Sequence, residues 1–164
     1  MQQRLTIQLP EILKPGCSIS IKLSFQLNIP PIDIGGTNAY QGYLGYSSRQ
    51  TNLGQWLPVM AVQTQEEWIS HPEIPIGEQD VLNTGDWDVT LRISDAPSSI
   101  RVAAPGMVEL KSANEWHFSL PQARDFSLSI GENYRISKNT SSSGVEIEVY
   151  NFDDALLNTD NGVI

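Results

Sequence analysis

Hydrophobic and polar residues alternate with a period of two along most of the chain. Between residues 18 and 29, Ile19, Ile21, Leu23, Phe25, Leu27 and Ile29 take turns with Ser18, Ser20, Lys22, Ser24, Gln26 and Asn28. Successive side chains of an extended strand point to opposite faces, so this spacing predicts a long strand with one buried and one wet face, stopped by Pro30-Pro31. The face that carries Phe25 is expected to be core, where Phe25→Ala costs about 3–5 kcal/mol and Ser24→Ala little. Leu5, Ile7 and Leu9 repeat the pattern against Arg4, Thr6 and Gln8, and Lys14-Pro15-Gly16 supplies turn chemistry between the two segments. The two strands are expected to form a hairpin.

The second half uses shorter units. Trp87, Val89, Leu91 and Ile93 alternate with Asp86, Asp88, Thr90 and Arg92; Ile100 and Val102 lead to Pro105-Gly106; Trp116, Phe118 and Leu120 end at Pro121. Phe126, Leu128 and Ile130 follow, then Tyr134 and Ile136, and after Asn139–Gly144 a last strand carries Val145, Ile147 and Val149. The best helical candidate, residues 64–71, is short and is cut off by Pro72. Many short strands between Gly, Pro, Asn and Asp turns predict an all-β fold, a large two-sheet β-sandwich of mostly antiparallel strands with long irregular loops. The reading divides the chain into a sandwich domain over 1–150 and a tail over 151–164 that has lost the alternation and suggests the start of a linker. Residues 31–85, richer in Gly, Pro and aromatics, read as loops and edge strands where a binding or docking surface would sit.

A chain of 164 residues is long enough to bury a core without a disulfide framework, and its one cysteine, Cys17, has no internal partner. The 19 acidic residues against 10 basic ones give a formal net charge of −9, which disfavours nucleic acid and anionic membrane surfaces as partners. The first residues carry no signal-peptide core, and no apolar run is long enough to span a bilayer, so the sequence reads as soluble, cytoplasmic or of unassigned compartment.

The sequence offers little catalytic chemistry. Its two histidines, His71 and His117, are unaccompanied by H-E-x-x-H, and there is no nucleophile elbow or phosphate-binding glycine loop. His117 is expected on the wet side of its strand. Glu78, Asp80, Asp86 and Asp88, or Asp153, Asp154 and Asp160 in the tail, read either as solvated acidic edges or as weak calcium ligands. Tyr40, Tyr43 and Tyr46 recur every three residues beside glycines, and read either as core filling or as a platform for sugar rings.

Four motifs carry a resemblance: N-L-G-Q-W-L-P at 52–58, G-D-W-D-V-T-L at 85–91, V-A-A-P-G at 102–106 and A-R-D-F at 123–126. In this order and spacing, together with the opening P-E-I-L-K-P-G and its long alternating strand, they resemble the N-terminal β domain of zinc aminopeptidase-like metallopeptidases, the aminopeptidase N and leukotriene hydrolase group. The resemblance covers roughly residues 5–150. It implies a saddle-shaped β-sandwich, silent alone, that packs on a downstream catalytic domain of the same polypeptide and helps to shape its cleft for peptide substrates. Zinc would belong to that domain; no cofactor is assigned to this chain. The alternative, from the residues themselves, is a stand-alone binding module for carbohydrate or a calcium-dependent ligand. The family's Gln that meets the substrate's amino end has no assigned counterpart between Gln50 and Gln55, and Arg124 with Asp125 matches a motif expected to form a strand-end ion pair. No catalytic, metal or substrate residue is therefore carried over, and Trp56 and Trp68 are the candidate anchors of the domain-docking surface.

Overall fold

The computed structural model describes residues 5–32, 42–65, 67–69 and 81–152. Among them the fold is all-β: no helix, and nine strands that are β1 (Leu44–Tyr46), β2 (Gln50–Leu53), β3 (Gly85–Arg92), β4 (Ile100–Ala103), β5 (Met107–Ser112), β6 (Glu115–Ala123), β7 (Leu128–Glu132), β8 (Tyr134–Thr140) and β9 (Glu146–Phe152). No helix of the described residues is long and apolar enough to cross a membrane. The chain divides into two compact units, one of Met1–Asn28 with Val59–Asn83 and one of Ile29–Pro58 with Thr84–Ile164.

All nine strands belong to the second unit. They form a four-stranded sheet of order β1-β2-β7-β4, a three-stranded sheet β3-β6-β5 and the two-stranded hairpin β8-β9, every strand pair antiparallel. The short connections from β1 to β2, from β5 to β6 and from β8 to β9 leave no room for a crossover helix, which is why these consecutive strands pair antiparallel. Both larger sheets feed one apolar cluster. Leu53, Val102 and Leu128 come from the first, Trp116 and Phe118 from the second, and Phe126 from the segment between β6 and β7. Phe118 and Phe126 are fully buried with ring centroids 5.6 Å apart. As the alternation predicts, Trp87, Val89 and Leu91 of β3 turn toward this cluster while Asp86, Asp88 and Thr90 stay exposed.

β6 runs past its expected end at Pro121 to Ala123. At Pro121 the strand has outrun β5, whose pairing stops at Ser119, so the missing N–H breaks no ladder on that side. Against β3 the register slips between Gly85 and Trp87, leaving an extra residue on β6. Gln122 adopts φ 52° there and donates its N–H to Asp86 Oδ1 at 2.9 Å, while Trp87 Nε1–H donates to Ala123 O at 3.0 Å.

The first unit departs from expectation. The turn at Lys14-Pro15-Gly16 forms, with Cys17 N–H donating to Lys14 O and Gly16 at φ 80°. The segments on either side join no ladder with any described residue. Residues 18–29 are thus not the one-faced buried strand that their alternation suggested: Ile19, Ile21, Leu23, Phe25 and Leu27 are 38–53% exposed. An extended segment buries an apolar row only when another layer is laid on it, and no described residue supplies one. The short helical candidate at 64–71, set aside for an all-β reading, forms no helix over its described part. Thr64 and Glu67 instead close a tight turn, with Glu67 N–H donating to Thr64 Oγ1 and Gln63 bridging Trp68. A β-branched Thr whose hydroxyl bonds the local backbone favours such a turn over a helix interior.

Candidate functional site

The four motifs assemble the corner where β6 gives way to β7. Leu53 enters the core, and after Gly54 and Gln55, the latter at φ 48°, Trp56 packs on the cluster and donates its Nε1–H to Phe126 O at 3.0 Å. Trp87 sits 6.4 Å from the Phe126 ring. Val102 is buried, and at Gly106 the chain turns into β5 with φ 88°; a Cβ there would lie 2.5 Å from Ser119 O. Asp125 was expected to pair with Arg124, but its carboxylate is spent on the next two residues: Oδ1 accepts from Phe126 N–H at 2.7 Å and Oδ2 from the Ser127 hydroxyl at 2.8 Å. An aspartate at the mouth of a turn satisfies nearby N–H groups at less entropic cost than it orders a long exposed arginine.

The two candidate anchors part company. Trp56 is half-buried and held in the second unit's core, whereas Trp68, in the first unit, is 55% exposed. Of the tyrosines, Tyr40 lies outside the described residues. Tyr43 and Tyr46 are both about half exposed, but Tyr43 lies over Gly54 and Tyr46 is registered with Thr51, so the odd spacing sends them to opposite faces of the sheet. They do not form one stacking platform.

Glu78 and Asp80, His71, and Asp153, Asp154 and Asp160 likewise lie outside the described residues. Asp86 is occupied by Gln122, and Asp88 Oδ2 lies 3.1 Å from Nε2 of His117, which is on the outer face of β6 as expected. Among the described residues no three His, Cys, Asp or Glu side chains come together.

What the sequence reading missed is a polar seam on the face of the four-stranded sheet that turns away from the core. Asn52 and Ser129 are register partners there. Ser129 Oγ donates to Asn52 Oδ1 at 2.6 Å and lies 2.9 Å from the Tyr134 hydroxyl, which donates to Gln50 Oε1; Asn52 Nδ2–H donates to Gly42 O at 2.7 Å. Tyr134 reaches this face because Gly131 leaves room for its ring, and it packs on Tyr150 and Phe152 of β9. The signal available was the run of small and amide residues at 50, 52, 129 and 131, which alternate with the core leucines.

Beside the seam opens a groove of about 970 Å³, walled by Asn52 and Ser129, by Pro105-Gly106, and by Lys138, Glu148 and Tyr150 of the hairpin. Lys138 pairs with Glu148, which also accepts from the Tyr150 hydroxyl at 2.6 Å. These hydrogen bonds hold the Glu148 carboxyl below the usual carboxylate range and the Lys138 ammonium above its ordinary value. Burial, with the Glu148 charge behind it, pushes the Tyr150 phenol up to about 12. Each of these three groups is partnered within the wall itself. Comparison with protein-family models, with curated proteins and with solved structures finds no match to the chain.

Proposed function

We propose that this chain is the non-catalytic N-terminal β domain of an aminopeptidase-like zinc metallopeptidase, a saddle-like sandwich that packs on a catalytic domain outside this chain and helps to shape its cleft for peptide substrates. The observation that carries the reading is the convergence of the four resemblance motifs. Dispersed over residues 52–126, they supply both indole N–H bonds of the corner, the tight turn at Gly106 and the aspartate that closes the Phe126 turn. Trp56, Trp87, Gly106 and Asp125 thus each have a structural reason to be what they are, as expected for residues that define a domain family and not a ligand site.

The exposed Trp68 and the apolar row from Ile19 to Leu27 support a docking role for the first unit, because large apolar side chains in such number mark a surface that another body covers. Zinc belongs, on this reading, to the catalytic domain. In this chain His117 is engaged with Asp88.

Two measurements test the proposal. The reading frame that encodes residue 164 should continue into an H-E-x-x-H within a domain's length, and a stop codon there would overturn it. Acrylamide should quench Trp68 emission in this chain and quench it far less in the full-length protein. Equal quenching in both would remove the docking role, and protection by an oligosaccharide instead would establish the stand-alone module.

A further inference from the structure

The three-stranded sheet ends on an edge that is neither short of apolar residues nor covered. β5 pairs with β6 alone among the described residues, and all of its residues from Met107 to Ser112 are exposed. Val108 and Leu110 are registered with Phe118 and Trp116, on the face that forms the core, yet they are 57% and 62% exposed. An edge strand of this kind presents unpaired N–H and C=O groups together with an apolar row, and so templates the addition of another strand.

The charges flanking Leu110 select the occupant. Glu109 and Lys111 lie close enough on one side of the strand for Lys111 Nζ to reach Glu109 Oε2 at 2.6 Å. Read antiparallel against itself about Leu110, the sequence Glu109-Leu110-Lys111 sets each Glu109 opposite the other strand's Lys111 and each Leu110 opposite its equivalent. Centred on Glu109, the same pairing would oppose like charges, which is destabilising. We infer that the free edge of β5 pairs with the same edge of a second copy, about a two-fold axis through Leu110, joining the two three-stranded sheets into one. A two-fold contact uses the same patch twice and therefore needs this self-complementarity. The register slip at Lys111 bends the strand just beyond the axis. It confines the pairing to a short run, so the dimer is reversible. The inference stands apart from the metallopeptidase reading.

Sedimentation of the chain at increasing concentration should show its mass rising from one copy toward two. Glu109→Lys and Lys111→Glu, which leave like charges facing across the axis, should each remain monomeric with an unchanged circular dichroism spectrum. An equimolar mixture of the two variants should recover the dimer, because each then supplies the charge the other lacks. Independently, Leu110→Cys in a Cys17→Ser background should cross-link to itself on mild oxidation, and Lys111→Cys in the same background should not. A wild-type chain that stays monomeric at all concentrations, or single variants that dimerise as well as wild type, would overturn the inference. A mixture that fails to recover the dimer would overturn it as well.

Discussion

Residues 18–29 and β3 carry the same alternation of apolar and polar side chains and meet different fates. In β3, Trp87, Val89 and Leu91 lie half-buried on the core because β6 provides a full ladder beside them and Phe126 a second layer beneath. In 18–29 the apolar row from Ile19 to Leu27 meets no described ladder and stays exposed. Period-two patterning decides which side chains share a face; whether that face leaves water depends on what the rest of the chain, or another body, lays against it.

Removing a core ring draws the contrast most sharply. Phe126→Ala, at a fully buried position, should cost about 3–5 kcal/mol in a denaturant melt, whereas Phe25→Ala should cost under about 1 kcal/mol in this chain. Comparable losses would mean that the row at 18–29 is buried after all. If the proposed downstream domain covers the row, the same Phe25→Ala change made in its presence should cost several times more, which would sharpen the comparison.

Next in size are the two glycine turns, one in each unit. Gly106→Ala should cost about 1–3 kcal/mol, because φ 88° is strained for any L side chain and the new Cβ would meet Ser119 O. Gly16→Ala carries the φ penalty alone, with open space around it, and should cost about 1 kcal/mol. Thermal melts of the two variants would report the difference, and a reversed order would mean that the Gly106 turn is not held against β6.

The indole bonds come after. Trp87→Phe keeps a ring against Phe126 but leaves Ala123 O unpaired, for a loss of about 1–2 kcal/mol, while Trp68→Phe, made on an exposed residue, should leave the melt unchanged. A shift on Trp68→Phe equal to that on Trp87→Phe would show that Trp68 is structural.

The smallest effect is the pH dependence that the β8-β9 hairpin contributes. The Tyr150 phenol is raised from 10.0 to about 12, so the folded state holds that proton more tightly than the unfolded chain. The associated stability is complete below pH 10 and fades as the pH rises toward 12. Glu148 works in the opposite direction: its carboxyl is lowered, chiefly by the Lys138 hydrogen bond, so its contribution is present at neutral pH and is lost as the pH falls through the folded value. Ultraviolet titration of the tyrosinates should find one late phenol that Glu148→Gln moves back toward the ordinary range.

Sequence alone determined the strand character of most of the second unit, the apolar face of β3, β6 and β7, and the turn at Lys14-Pro15-Gly16, because these follow from side-chain alternation and local backbone preference. The all-β class followed from their sum. It also marked Trp56 and Trp87 as residues of consequence through the motifs that contain them, though not their role. Asp125 bonds Phe126 and Ser127 and not Arg124, and Gly131 seats Tyr134, both over short range, whereas that both indoles serve one corner depends on contacts between residues far apart in the chain. No local pattern encodes such contacts. Tertiary structure alone also decided which of two equally patterned segments found a partner, since a ladder needs two strands and the sequence of one says nothing of where the other lies.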